Sequence, residues 1–235
     1  MREGGRPEPV PPNTTPRPAL YDVQDRKPSA IFMLLQRPTH HVAAWLLNQV
    51  YLAFPNPDES WGYNVLYRFT GGEDGLQPRA RLILDNSGTL YGTAPFGGDL
   101  DYCYRGGCGV VFELRPNGDG TWTENALRSF TEGRDGGVPV GGLILDQSGN
   151  LLGTTESGGN RNFCQTSGYS QGCGVVFKLT PGEKGTWQER VLHRFLNRPG
   201  AYPSGSLVSD PAGNFYGTTG GDGTTTFGSV FEITP

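Results

Sequence analysis

The chain has 235 residues, of which 37 are glycine and 19 proline, about a quarter of the total, so turns are frequent and long helices are excluded. Lys and Arg number 19 against 23 Asp and Glu, and the formal net charge of −4 leaves no basic field for phosphates, which excludes nucleic acid as a partner. No apolar run reaches the roughly 20 residues that span a bilayer.

Residues 1–30 are rich in Pro, Arg and Glu and poor in apolar side chains, a composition that cannot offset the entropy of ordering, so disorder is expected there. Residues 42–54 form an uncharged apolar stretch behind Arg37, His40 and His41. With translation starting at Met33 this has the form of a secretory h-region behind a basic n-region. The other reading is an amphipathic helix packed on the domain, which Asn48, Gln49 and the lack of a clean small-residue cleavage site support. The expected organisation is therefore a disordered or signal-like segment at 1–58 and a repeat domain at 59–235.

Three units recur, at about 63–125, 126–190 and 191–235. Leu82-Ile83-Leu84-Asp85 with Gly88 and Gly92-Thr93 matches Leu143-Ile144-Leu145-Asp146 with Gly149 and Gly153-Thr154, and Leu207-Val208-Ser209-Asp210 with Gly213 and Gly217-Thr218. A second element, Gly109-Val110-Val111-Phe112, recurs from Gly174 and from Gly228. A third, Val65-Leu66-Tyr67-Arg68-Phe69, recurs at 126–130 and 191–195. Each unit reads as strands a, b, c and d. Strand a is an apolar run covered on both faces. The Asp-x-x-Gly after it is a tight turn in which the Asp side chain accepts backbone N–H bonds. Strand c alternates around Glu113, so one face is buried and the other wet.

Repeated four-stranded antiparallel units predict an all-β, β-propeller-like array of three blades, with a stacked solenoid as the rival. The strand count is twelve: a lone d strand at 65–69, two full sets, and a closing a-b-c set. The lone strand is expected to complete the last unit and cover its edge. Three blades are fewer than closed propellers use, so either a homodimer completes a six-bladed ring or upstream blades are missing.

The run Gly141 to Thr155, followed by Gly174-Val175-Val176-Phe177-Lys178-Leu179-Thr180-Pro181 and Val191-Leu192 with Phe195, resembles the Gloeo-Verruco (GloVer) tandem repeat of choice-of-anchor bacterial proteins. The resemblance covers about residues 63–235 and implies a secreted or surface-displayed repeat protein held by a C-terminal sorting signal, with no enzymatic activity attached. The sequence stops at Pro235 without such a tail, a departure that weighs against covalent or membrane anchoring.

Four cysteines carry the clearest chemical signal. Cys103 and Cys108 share one b-c loop, Cys164 and Cys173 share the next, and the third unit has neither. Local bridges within each pair are expected, in an oxidising compartment. A zinc site formed by all four cysteines and free thiols are the alternatives, although neither pair has the usual zinc-ligand spacing. The b-c and d-a loops are long and the other turns short, which picks out one face for function. That face carries Tyr102, Tyr104, Arg105, Arg161, Asn162, Phe163 and Tyr169, a set suited to stacking on sugars or peptides or, alternatively, to packing their own loops. Loop carboxylates Glu73, Asp74, Glu132 and Asp135 read as calcium ligands or, more simply, as parts of solvated Gly-rich turns. His193 replaces Tyr67 and Arg128 at one strand position and needs no catalytic role. No nucleophile elbow, zinc-protease motif, phosphate loop or dinucleotide fingerprint is present, and no cofactor or metal is expected. The sequence thus predicts a non-catalytic secreted or cell-surface binding module with a carbohydrate or protein partner. The alternative is a glycan-active hydrolase or lyase using loop carboxylates on the same face.

Overall fold

Short apolar runs between Asp-x-x-Gly and Gly-rich turns fold as strands wherever both flanks can cover them. In the computed structural model, which describes residues 31–32, 48–58, 60–103, 106–160, 162, 164, 172–196, 200–221 and 227–234, they make an all-β chain of four antiparallel sheets. The first is β1 (Ile31–Phe32), β2 (Gln49–Pro55) and β3 (Trp61–Arg68) in that order. The second is β4 (Ile83–Leu84), β5 (Leu90–Ala94), β6 (Val110–Pro116) and β7 (Trp122–Ser129). The third is β8 (Ile144–Leu145), β9 (Leu151–Thr155), β10 (Val175–Pro181) and β11 (Trp187–Arg194). The fourth is β12 (Val208–Ser209), β13 (Phe215–Thr218) and β14 (Val230–Ile233).

The two middle sheets are the four-stranded units expected, but the array is not one of three blades. The strand at 65–69 is not an orphan that closes the last unit: it is part of β3 and pairs with β2, from Gln49↔Arg68 to Pro55↔Trp61. Residues 49–55 therefore form a strand and not a packed helix, and described strands lie before residue 59. Val50-Tyr51 in β2 takes the place of Val111-Phe112 in β6 and Val176-Phe177 in β10, with the same register shift at all three. The expected disorder of 1–30 and the stretch 42–47 lie outside the described residues.

The sheets pack face to face in chain order, as propeller blades do. One core cluster joins Val50 and Phe69 of the first sheet unit to Leu90, Val110, Phe112 and Leu114 of the second. Another joins Val111 and Phe130 to Leu151, Val175 and Phe177, and a third joins Val176 and Phe195 to Leu207 and Phe215. The same edge-on aromatic pair recurs at each junction: Phe69–Phe112 at 4.8 Å, Phe130–Phe177 at 5.2 Å and Phe195–Phe231 at 5.0 Å, with Tyr91–Trp187 as a second pair at the middle one. The inner ring of each pair lies across a glycine, and a Cβ on Gly92, Gly153 or Gly217 would stand 2.5, 2.7 or 2.4 Å from it. That contact is why the glycine of Gly-Thr recurs in these three sheets.

Two details of the sequence reading change. Leu84 and Leu145 are exposed, so strand a is covered on one face only. The face of strand c that carries Glu113 is not wet at that residue in the second sheet, since Glu113 is 2% exposed. It is held there by Arg115 Nε at 2.9 Å and by Asn125 Nδ2, which donates at 3.1 Å. A strand between two sheets has both faces covered, and the charge is tolerated because it is paired. The Asp-x-x-Gly turns form as expected, with Asp146 Oδ1 accepting the N–H of Ser148 at 2.8 Å and of Asn150 at 2.9 Å.

Candidate functional site

Each d-a loop is bridged to the b-c loop of the same unit, at Leu76↔Phe96, Gly137↔Ser157 and Ala201↔Gly221. The long loops therefore share one face, and backbone bonds fix their relation. Gly159 N–H donates to Gly133 O at 2.7 Å and Gly98 N–H to Gly72 O at 2.9 Å. The two ends of the second-sheet b-c loop meet so closely that a Cβ on Gly107 would lie 2.0 Å from Gly97 O, a contact only glycine allows.

Loop carboxylates organise this scaffold rather than line a pocket. Asp135 accepts from Thr131 N–H at 2.9 Å, Thr131 Oγ1 at 2.7 Å and Arg128 Nη2 at 2.8 Å. Asp74 does the same with Thr70 and with the Tyr67 hydroxyl, whose pKa burial and then the Asp74 charge push up to about 12. Among the described residues no group of three or more His, Cys, Asp or Glu side chains is arranged to hold a metal ion.

Both local disulfides form, Cys103–Cys108 and Cys164–Cys173. The alternatives of a four-cysteine zinc site and of free thiols are thereby excluded, and the chemistry is that of an oxidising compartment. The end of each bridged loop is also clipped to the next unit. Val138 N–H donates to Cys108 O at 2.7 Å and Tyr202 N–H to Cys173 O at 2.9 Å. Both residues precede a proline at positive φ, 56° and 60°, which is strained for a β-branched or bulky side chain and marks a tightly determined junction.

Between the two bridged loops lies a cleft of about 670 Å³, the size of a small-ligand site. Tyr102 enters it from the first bridged loop, next to Cys103. Asn160 and Asn162 come from the second, Thr131 and Arg134 from the d-a loop, and Arg194 from the end of β11. Arg194 Nε donates to Arg134 O at 3.2 Å, which holds the two cationic residues together. Among the described residues no carboxylate lines it. Behind the wall, Arg128 links Asp135 to Glu189, with its Nε 2.7 Å from Glu189 Oε2. Burial raises the Glu189 pKa to about 7, with Arg128 and Arg194 opposing and the Asp135 charge adding.

Of the residues singled out from sequence, the structure brings Tyr102 and Asn162 together in this cleft. Tyr104, Arg105, Arg161, Phe163 and Tyr169 lie outside the described residues. Arg134, Arg194, Asn160 and Thr131 were not singled out. Arg134 and Asn160 carry one signal, their place on the long loops, while nothing in the linear sequence marks Arg194, which takes the position of Ser129 in the preceding unit.

No protein-family model and no curated protein matches the sequence. Three solved structures are similar in fold. One is assigned as a gluconolactonase, with 21% identity over 80% of this chain and 58% of its own and a TM-score of 0.45. A gluconolactonase of Xanthomonas campestris has 14% identity over 80% of this chain and 58% of its own, at a TM-score of 0.42. A glucose dehydrogenase has 17% identity over 73% of this chain and 51% of its own, also at 0.42. The chain thus spans little more than half of each. All three are described as enzymes, which runs against the expectation of a non-catalytic binding module. At such TM-scores no activity passes from them to this chain, so its chemistry is argued from the cleft.

Proposed function

We propose that the chain is a glycan-active enzyme, of the hydrolase or lyase kind, that takes an acidic sugar unit in the cleft between its two disulfide-bridged loops. The observation that carries this is the lining: two arginines, Arg134 and Arg194, share one polar cleft with Asn160, Asn162, Thr131 and Tyr102. Guanidinium groups match a sugar carboxylate, amides and hydroxyls match ring hydroxyls, and an exposed tyrosine offers a face for the ring.

The same set favours elimination over hydrolysis by paired carboxylates. Glycoside hydrolysis needs two acids flanking the bond within about 5 to 10 Å, and the described lining residues supply none. Arginine and asparagine around a uronate carboxylate instead stabilise the charge that develops when the adjacent C–H loses its proton. Among the described lining residues Tyr102 supplies the phenol oxygen for proton transfer, acting as phenolate toward the C–H and as phenol toward the leaving oxygen. The phenolate takes the proton from carbon, a C=C bond forms as the C–O bond to the neighbouring sugar breaks, and the resulting phenol returns the proton to the released oxygen.

Secretion and membership of the GloVer repeats belong to the same proposal. The two local disulfides and the repeated strand pattern support them.

The test is incubation of the full chain with polyuronates and with neutral glucans, following ultraviolet absorbance and reducing ends together. Rising absorbance on a polyuronate, lost at least tenfold in Arg134→Ala and Arg194→Ala, is the expected result. Reducing ends without absorbance would make the enzyme a hydrolase and remove the elimination step. Neither signal, with no calorimetric binding of any acidic sugar, would overturn the reading.

A further inference from the structure

Every junction between sheets is built from the same repeat positions, and one set of those positions is left open. On the forward face, Val50, Val111 and Val176 are each 0% exposed because the next sheet covers them. Val230 holds that position in the fourth sheet and is 78% exposed. Cys108 and Cys173, both 0% exposed, likewise become Phe227 at 76%, and the half-buried Ile83 and Ile144 become Val208 at 63%. Isolated exposed apolar residues are ordinary, but three at the contact positions of one repeat form a face made to be covered.

The complementary half is at the other end of the chain. Ladder positions place Tyr51 where Phe112 and Phe177 receive the preceding sheet, and Tyr63 where Glu124 and Glu189 do. Glu189 is in contact with Arg128 of the preceding sheet, whereas Tyr63 is 67% exposed and packs against Tyr51 with ring centres 5.8 Å apart. The first sheet thus presents an aromatic receiving surface with nothing before it among the described residues.

We propose that the Val208–Phe227–Val230 face docks on the Tyr51–Tyr63 face of a second copy of this chain, and reciprocally, so that two copies close one ring of eight sheets. The occupant is argued from continuity: the positions of Val111, Cys108 and Ile83 meet those of Phe112 and Glu124 as at the three junctions within the chain, while the fourth sheet has no described counterpart of Phe195 and Phe32 pairs with Tyr51 where Gly92 pairs with Phe112. Eight sheets fall within the four to eight blades of closed propellers, and closure leaves only short, protected sheet edges. A head-to-tail contact of this kind generates a ring only when the rotation closes, and otherwise a filament.

The test is the solution mass of the full chain by light scattering, with Val230→Asp, Phe227→Asp and Tyr63→Asp beside it and Leu100→Asp as an exposed control away from both faces. The expected result is twice the 25.4 kDa chain mass for the unaltered chain and the control, and the single mass for each of the other three. All are surface positions, and unchanged far-ultraviolet circular dichroism confirms that each variant is folded. A monomeric unaltered chain at about 100 μM would overturn the proposal, as would open-ended assemblies. So would dissociation by Val230→Asp but not by Tyr63→Asp, which would mean that the forward face pairs with itself.

Discussion

Tyr67, Arg128 and His193 occupy one strand position, and the residue facing each decides what that position does. Tyr67 and Arg128 each hold a loop aspartate, and Arg128 also reaches Glu189. Among the described residues Glu124, the counterpart of Glu189, has no such cation, and its Oε1 is buried without a hydrogen-bond partner. Burial, then the Asp74 and Glu113 charges, raise its pKa to about 7. The fold therefore favours the protonated form. The stability this contributes is present below about pH 4.5 and is lost as pH rises through about 7. Glu124→Gln should flatten that slope and add about 1–2 kcal/mol at pH 8, after discounting the shift for partial solvent access. Urea midpoints at pH 5 and pH 8 check it, and an unchanged slope in the variant would rule it out. Glu189→Gln should flatten the slope as well, since burial also raises the Glu189 pKa to about 7, but it removes the partner of Arg128 and should gain less at pH 8.

At the scale of elements, the repeat grammar was legible because physics repeats it. Asp85, Asp146 and Asp210 head turns whose backbone N–H groups they accept, so they recur. Gly153 recurs for a different reason, the Phe177 ring 2.7 Å from where its Cβ would be. Gly153→Ala should cost about 2–3 kcal/mol by overpacking. Gly149→Ala meets nothing within 4 Å but sits at φ 79°, and should cost about 1 kcal/mol. Thermal denaturation of the two variants should rank them in that order, and equal losses would refute the ring contact as the reason. Strand β2 escaped the sequence pattern because Leu52 stands where Glu113 and Lys178 mark the pleat in β6 and β10. Without that charge an apolar strand reads as an h-region or a helix.

For the whole molecule, the bridged loops tie stability to the cleft. Closing loops this short stabilises by about 2 kcal/mol each on the chain-entropy model. Tyr102 adjoins Cys103 and Asn162 lies two residues before Cys164, so reduction should both lower the melting temperature and weaken acidic-sugar binding. Calorimetry with and without reductant measures both. Lower stability with unchanged binding would show that the cleft does not depend on the bridges.

The strands of the three repeats, turn chemistry, cysteine pairing and the face that carries the long loops were determined by the sequence alone, because each depends on residues close together in the chain. Sheet number, the partner of the strand at 65–69 and the composition of the cleft were decided by tertiary structure. Arg194 meets Arg134 across 60 residues, Asp135 turns inward to Arg128, and Glu113 is buried because a second sheet lies over it. Burial by a neighbouring sheet acts between units, and no local pattern records which face a neighbour will cover.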